Sequence, residues 1–163
     1  MQFTVRPATL ADCEDIARVH VASIRSLGAQ TYDAEIVSDW SAFRTGERYA
    51  RAIEDGVLFF VAIAHEGHKD ERIAGFSSYS FVRGKHRTAI YVNGDFARCG
   101  VGTALFTAAE DAARKNGATE IDIDASIGAV LFYKAMGFEE LGTGQHALNT
   151  GRKMACVFMR KRL

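Results

Sequence analysis

Apolar and polar positions alternate through residues 2–6 and stop at Pro7, as in a short strand with one covered face. The period then changes. Cys13, Ile16, Ala17, His20, Ile24 and Leu27 recur every three or four positions and draw one face of a helix, with Thr9 and Asp12 spaced like a capping box at its start. Ile36, Trp40 and Phe43 at i, i+4 and i+7 predict a second helix, and a short third is expected between Gly46 and Gly56. Residues 57–64 form a strongly apolar strand, 65–72 its polar turn and 73–81 the antiparallel return. A strand over 87–92 is closed by Asn93-Gly94, and a helix over 100–115 ends at Asn116-Gly117, a pair suited to a left-handed cap. Residues 119–124 alternate as a strand, Ser126 is placed to cap a helix that ends at Gly137, and 138–147 with 153–160 read as a closing pair of strands. Interleaved strands and helices point to an α/β architecture, a mixed sheet with helices on both faces.

With 163 residues, one proline and no Gly/Ser-rich linker, the chain reads as a single domain over 1–163. No apolar run is long enough to span a bilayer, and the opening MQFTVRPATLADCED has no apolar h-region, so a cytoplasmic location is expected. Lys plus Arg balance Asp plus Glu at 20 each, which argues against nucleic acid as partner, since phosphate binding calls for a basic excess. Cys13, Cys99 and Cys156 are odd in number and carry no CxxC, the pattern of reduced thiols. His65, His68, Glu66 and Asp70 lie in a polar turn without fixed ligand geometry, and no metal is expected there.

The informative segment is Ile90-Tyr91-Val92-Asn93-Gly94-Asp95-Phe96-Ala97-Arg98-Cys99-Gly100-Val101-Gly102-Thr103-Ala104-Leu105. It runs from strand through a glycine-rich bend into a helix. The first helical turn has unpaired N–H groups and partial positive charge, so it attracts an anion. Glycine at 100 and 102 clears side chains from that approach, and Arg98 and the Thr103 hydroxyl are at hand to anchor a pyrophosphate. Alone, two glycines fit a tight bend with close helix packing equally well. A P-loop would need Lys-Ser/Thr after the last glycine, and a Rossmann fingerprint a small residue where Leu105 stands.

This segment resembles the acetyl-CoA loop of the GNAT acetyltransferase superfamily, whose pattern is Gln/Arg-x-x-Gly-x-Gly/Ala. A second match lies 31 positions on from Gly102 to Tyr133, where Ala125-Ser126-Ile127-Gly128-Ala129-Val130-Leu131-Phe132-Tyr133-Lys134-Ala135-Met136-Gly137-Phe138 resembles the family's Asn-x-x-Ala-x-x-Phe-Tyr-x-x-x-Gly-Phe. The order of elements agrees over nearly the whole chain. Ala97 stands at the Gln/Arg position, Ser126 at the usual Asn and Gly94 where proline is common; all three leave the main-chain donors in place.

The resemblance implies the acyl-CoA N-acyltransferase fold: a mixed, mostly antiparallel sheet of about seven strands flanked by about four helices on both faces. It implies acetyl-CoA as acetyl donor and an amine of a small molecule or peptide as acceptor, without nucleic acid, membrane or metal, and it leaves a homodimer open. Cofactor contacts would come from Ile90, Tyr91, Val92, Arg98, Cys99, Gly100, Val101, Gly102, Thr103, Ser126, Ala129 and Phe132, with a main-chain N–H near Val92 polarising the acetyl carbonyl. Tyr133 occupies the position of the acid that protonates the leaving thiolate, though Ala129, Phe132, Tyr133 and Met136 also read as a core stripe. For the base, the family's glutamate is replaced by Thr88 and Ala89; His86 just ahead of them is the first candidate, against a solvated turn histidine, followed by His20, whose place on an apolar face reads as core, and third by His146. The acceptor wall would come from about residues 26–40 and 142–150, including Tyr32, Trp40, His146 and Asn149. The rival class is a non-catalytic acyl-CoA sensor; a ligand-free structural domain is the third.

Overall fold

The computed structural model describes residues 1–66 and 69–163. Seven strands form one sheet: β1 (Gln2–Pro7), β2 (Leu58–Glu66), β3 (Lys69–Val82), β4 (Lys85–Val92), β5 (Glu120–Ser126), β6 (Glu139–Ala147) and β7 (Lys153–Arg162), in the order β1-β2-β3-β4-β5-β7-β6. Every neighbouring pair is antiparallel except β4 and β5, which run parallel. The mixed, mostly antiparallel sheet expected from the sequence is present. No helix among the described residues is long and apolar enough to cross a membrane.

Helices cover both faces. On one lie α1 (Cys13–Ser26), α2 (Ala34–Ser41) and α3 (Gly46–Glu54); on the other lie α4 (Val101–Lys115) and α5 (Val130–Ala135). The start of α1 follows local chemistry: the Thr9 N–H donates to Asp12 Oδ2 at 2.7 Å, and Arg6 forks onto the same carboxylate at 2.8 and 2.9 Å. Strand alternation sorts the two cores. Ile121, Ile123 and Ala125 of β5 pack with Phe106 of α4 and Tyr133 of α5. Tyr91 of β4 faces the opposite way, against Phe76 of β3 and Trp40 of α2.

Three local expectations are corrected. Phe43 does not extend α2: the chain leaves the helix after Ser41, and Phe43 takes φ 60° and stands 66% exposed. The polar turn is tighter than 65–72, since β2 and β3 stay paired as far as Glu66 and Lys69; His68 lies outside the described residues. Ser126 makes no side-chain cap, and the segment it precedes begins as a 3-10 turn (Ile127–Ala129) before α5. The Ile127 N–H goes instead to the Tyr32 hydroxyl at 2.9 Å, which itself donates to the Ala155 carbonyl at 2.5 Å.

Candidate functional site

β4 and β5 match at a single register position, Arg87 with Asp122, and then part. Ile90, Tyr91 and Val92, at the far end of β4, therefore border a gap rather than a neighbouring strand. The chain turns there through Gly94–Phe96, a single 3-10 turn, and enters α4. Gly94 is required by packing: a Cβ would lie 2.7 Å from Ser26 Oγ, which explains glycine at a turn position open to other residues.

The bend before α4 is held by backbone conformation. Arg98 sits at φ 63° and Gly100 at φ 83°, both left-handed, and Gly100 caps α4 with no side-chain hydrogen bond. The first helical acceptor bond comes from Ala104 N–H to Gly100 O at 3.1 Å, so the N–H groups of Val101, Gly102 and Thr103 precede the ladder. A Cβ on Gly100 would meet nothing within 4 Å, so no side chain crowds the bend at that point. Gly102 answers a different need: its Cβ would come 3.2 Å from the Phe132 ring and 3.7 Å from Val92 Cγ2. The two glycines thus do separate work, one setting the bend and one admitting α5. Arg98, Cys99 and Thr103 are exposed at this end, whereas the Val101 side chain is fully in the core.

Tyr133 of α5 is buried in the cluster against which Ile90 of β4 packs, and burial pushes its pKa far above the usual phenol range, with the neighbouring Tyr91 adding to the shift. It therefore keeps its proton at all working pH values. Phe132 packs edge-on against it with centroids 5.2 Å apart, and Ala129 lines the same cluster.

On the other face of β4 lies a cavity of about 300 Å³ walled by Tyr91 and Ala89, Phe76, Trp40, Tyr49, His20, Arg44, Arg48 and the 146–149 stretch. His20 is 5% exposed; its Nδ1 is 2.6 Å from the Tyr49 hydroxyl and its ring centroid lies 3.7 Å from that of Tyr91, while Nε2 has no hydrogen-bond partner among the described residues. Burial, then the charges of Arg44 and Arg48, hold its pKa well below the ordinary histidine value, so the ring is neutral. Burial likewise pushes Tyr49 up to about 12. His146 stands at the rim with Nδ1 3.0 Å from Asp124 Oδ2, and Arg87 NH2 donates to the other oxygen of Asp124 at 2.8 Å. A carboxylate only accepts, so it fixes the proton on Nδ1 and leaves Nε2 as the basic nitrogen.

The structure thus brings Ile90, Tyr91, Val92, Gly100, Val101, Gly102, Phe132 and Tyr133 to one strand end, with Arg98, Cys99 and Thr103 on the bend and Ser126 and Ala129 across the gap. His86 is not among them. It lies at the opposite end of β4, about 20 Å along the strand from Val92, with Nδ1 2.8 Å from the Tyr79 hydroxyl and Phe81 against its ring. Trp40, His146 and Asn149 line the cavity as expected; Tyr32 is spent on the Ile127 and Ala155 main chain instead. Asp122 and Asp124 are occupied by Arg160, Lys85, Arg87 and His146. Arg44, Arg48 and Tyr49 were not singled out by sequence. They sit in a polar stretch, and only the fold sets them opposite His146, about 100 positions away.

Residues 28–161 match the family model described as Acetyltransferase (GNAT) domain. A GCN5-related N-acetyltransferase from Rhodopseudomonas palustris superposes with TM-score 0.82 at 28% identity, covering 100% of this chain and 97% of its own. PaiA N-acetyltransferase of Thermoplasma acidophilum, solved with coenzyme A, gives TM-score 0.76 at 20% identity with full coverage of both chains. YncA of Salmonella typhimurium, solved with acetyl-CoA, gives 0.72 at 20%, covering 99% of this chain and 94% of its own. No curated protein sequence matches significantly. With the family model spanning most of its length and its sheet parted at β4 and β5, the chain belongs to the GNAT acetyltransferase family.

Proposed function

We propose that this chain transfers the acetyl group of acetyl-CoA to an amine of a small molecule or peptide, by direct attack with both substrates bound. The observation that carries the reading is a meeting at one strand end. The unbonded N–H groups of α4 and the gap beside β4 open on one side, and the cavity opens on the other. The residues suit the coenzyme: nothing crowds Gly100, and the Val101, Gly102 and Thr103 N–H groups precede the helical ladder, as an anion site at a helix start requires. Arg98, exposed on the bend, adds a positive charge there, with Cys99, Ser126, Ala129 and Phe132 forming the sides. Ile90 and Val92 offer main-chain groups along the gap. Bound there, acetyl-CoA supplies an activated acetyl thioester.

The chain's own residues then handle protons. An alkyl amine with pKa near 10.4 is free base in only about 1 molecule in 2,500 at pH 7, a handicap of about 4.6 kcal/mol. His146 Nε2 is the nitrogen available to take that proton, because Asp124 holds Nδ1–H. In the place assigned from sequence to His86, the geometry favours His146. Tyr133 keeps its proton on Oη and offers it as a hydrogen bond to the departing sulfur; a phenol this reluctant to ionise works as a donor rather than by losing its proton outright.

Thiol release from acetyl-CoA over a panel of amines, with titration calorimetry of acetyl-CoA alone, tests the reading. Binding with amine-stimulated release supports it. Binding without release from any amine makes the chain an acyl-CoA sensor, and absence of binding removes both.

A further inference from the structure

We infer that the acceptor is an amine that carries a free carboxylate on an apolar body, the chemistry of an α-amino acid, and that Arg44 and Arg48 hold the carboxylate in the cavity beside Tyr91. The inference rests on the acetyl-transfer reading and names its acceptor class.

The cavity's charge is one-sided. Two guanidinium groups line it and no acidic residue does among the described residues. Elsewhere arginines close on carboxylates: Arg6 on Asp12, Arg87 on Asp124, Arg152 on Asp39 and Arg160 on Asp122. Among the described residues, Arg44 and Arg48 have only neutral acceptors. Arg44 donates to the Trp40 carbonyl at 3.1 and 3.3 Å, and Arg48 to Asn149 Oδ1 at 3.1 Å. These contacts position the two side chains without neutralising them. Two like charges at a partly enclosed site repel, and a planar carboxylate that accepts from both relieves the repulsion and matches the guanidinium fork.

The rest of the wall fits the rest of such a molecule. Trp40, Tyr49, Phe59 and Phe76 present aromatic surface to an apolar side chain. His146 lies at the rim, where the amine must deprotonate. The volume, about 300 Å³, is at the low end for small-molecule sites, which run from about 300 to 1,000 Å³. A polyamine suits this wall poorly, since it would meet two arginines and, among the described residues, no lining carboxylate.

The test compares kcat/KM for the apolar α-amino acids, their α-amides and spermidine, with wild type and Arg48→Gln. Arg48 is exposed and supports no core packing, so this variant folds. The expected result is preference for acid over amide by about tenfold or more, lost in Arg48→Gln through a raised KM for the acid, with KM for acetyl-CoA held. Equal use of acid and amide, preference for spermidine, or turnover of the amide with no acid turned over would overturn the inference and leave acetyl transfer standing. A raised KM for acetyl-CoA in Arg48→Gln would also overturn it, since the arginines would then serve the coenzyme.

Discussion

Asp124 Oδ2 accepts from His146 Nδ1 at 3.0 Å, and this contact decides which imidazole nitrogen is free for chemistry. Replacing His146 by Ala removes the proposed base but little packing, because the side chain is 49% exposed. The expected loss in kcat is about 100-fold, partly recovered at high pH as more acceptor loses its proton unaided, with acetyl-CoA affinity unchanged. Asp124→Asn keeps the shape but no longer fixes the tautomer, and should fall between wild type and His146→Ala. A pH–rate series on the three proteins checks both.

Tyr133→Phe removes a single hydroxyl from a packed site between Phe132 and Phe138. The fold should survive and kcat should drop about tenfold or more, with acetyl-CoA affinity nearly intact by calorimetry. Unchanged turnover with a chemistry-limited acceptor would make Tyr133 a packing residue only.

His20 ties stability to pH. Its folded pKa is depressed, by burial first and then by Arg44 and Arg48, while the unfolded ring titrates near 6.5. Unfolding below that pH takes up a proton that the folded ring refuses. The stabilisation is therefore full above about 6.5 and is lost toward acid at about 1.4 kcal/mol per pH unit. Denaturant unfolding from pH 7.5 to 5 should show this slope, and His20→Gln should flatten it even as overall stability falls.

Gly100 and Gly102 should fail in different ways when changed to Ala. Gly100→Ala forces a left-handed alanine at φ 83°, costing about 1 kcal/mol of stability through the bend. Gly102→Ala puts a methyl 3.2 Å from the Phe132 ring, which must shift toward the gap. Both should weaken acetyl-CoA about tenfold, by strain in the first and by the displaced ring in the second. Calorimetry and thermal melts on the two variants separate the causes.

Much of the fold was legible because periodicity reports burial directly: the run from Cys13 to Ile24 could lie only on a helix, and Ile121 with Ile123 only on a strand. Phe43 misled because one i+7 coincidence was weighed as a repeat, whereas local turn geometry ended α2 first. Ser126 misled because a cap-forming residue type does not fix which acceptor the backbone finds, and Tyr32 arrives from 95 positions away. The glycine bend was legible since positive φ is written in residue type. The acceptor cavity was legible in part: Trp40, His146 and Asn149 were expected on its wall and line it, whereas Arg44 and Arg48 carry no periodic signal and the Asp124 that orients His146 comes from another strand.

Amide resonances followed during an acetyl-CoA titration test the central claim most directly. The account predicts saturable shifts at Val101, Gly102 and Thr103, joined by Ile90 and Val92 along β4, since these N–H groups line the open bend and the parted strands. Saturation with those resonances unmoved, or no shift anywhere, would contradict it.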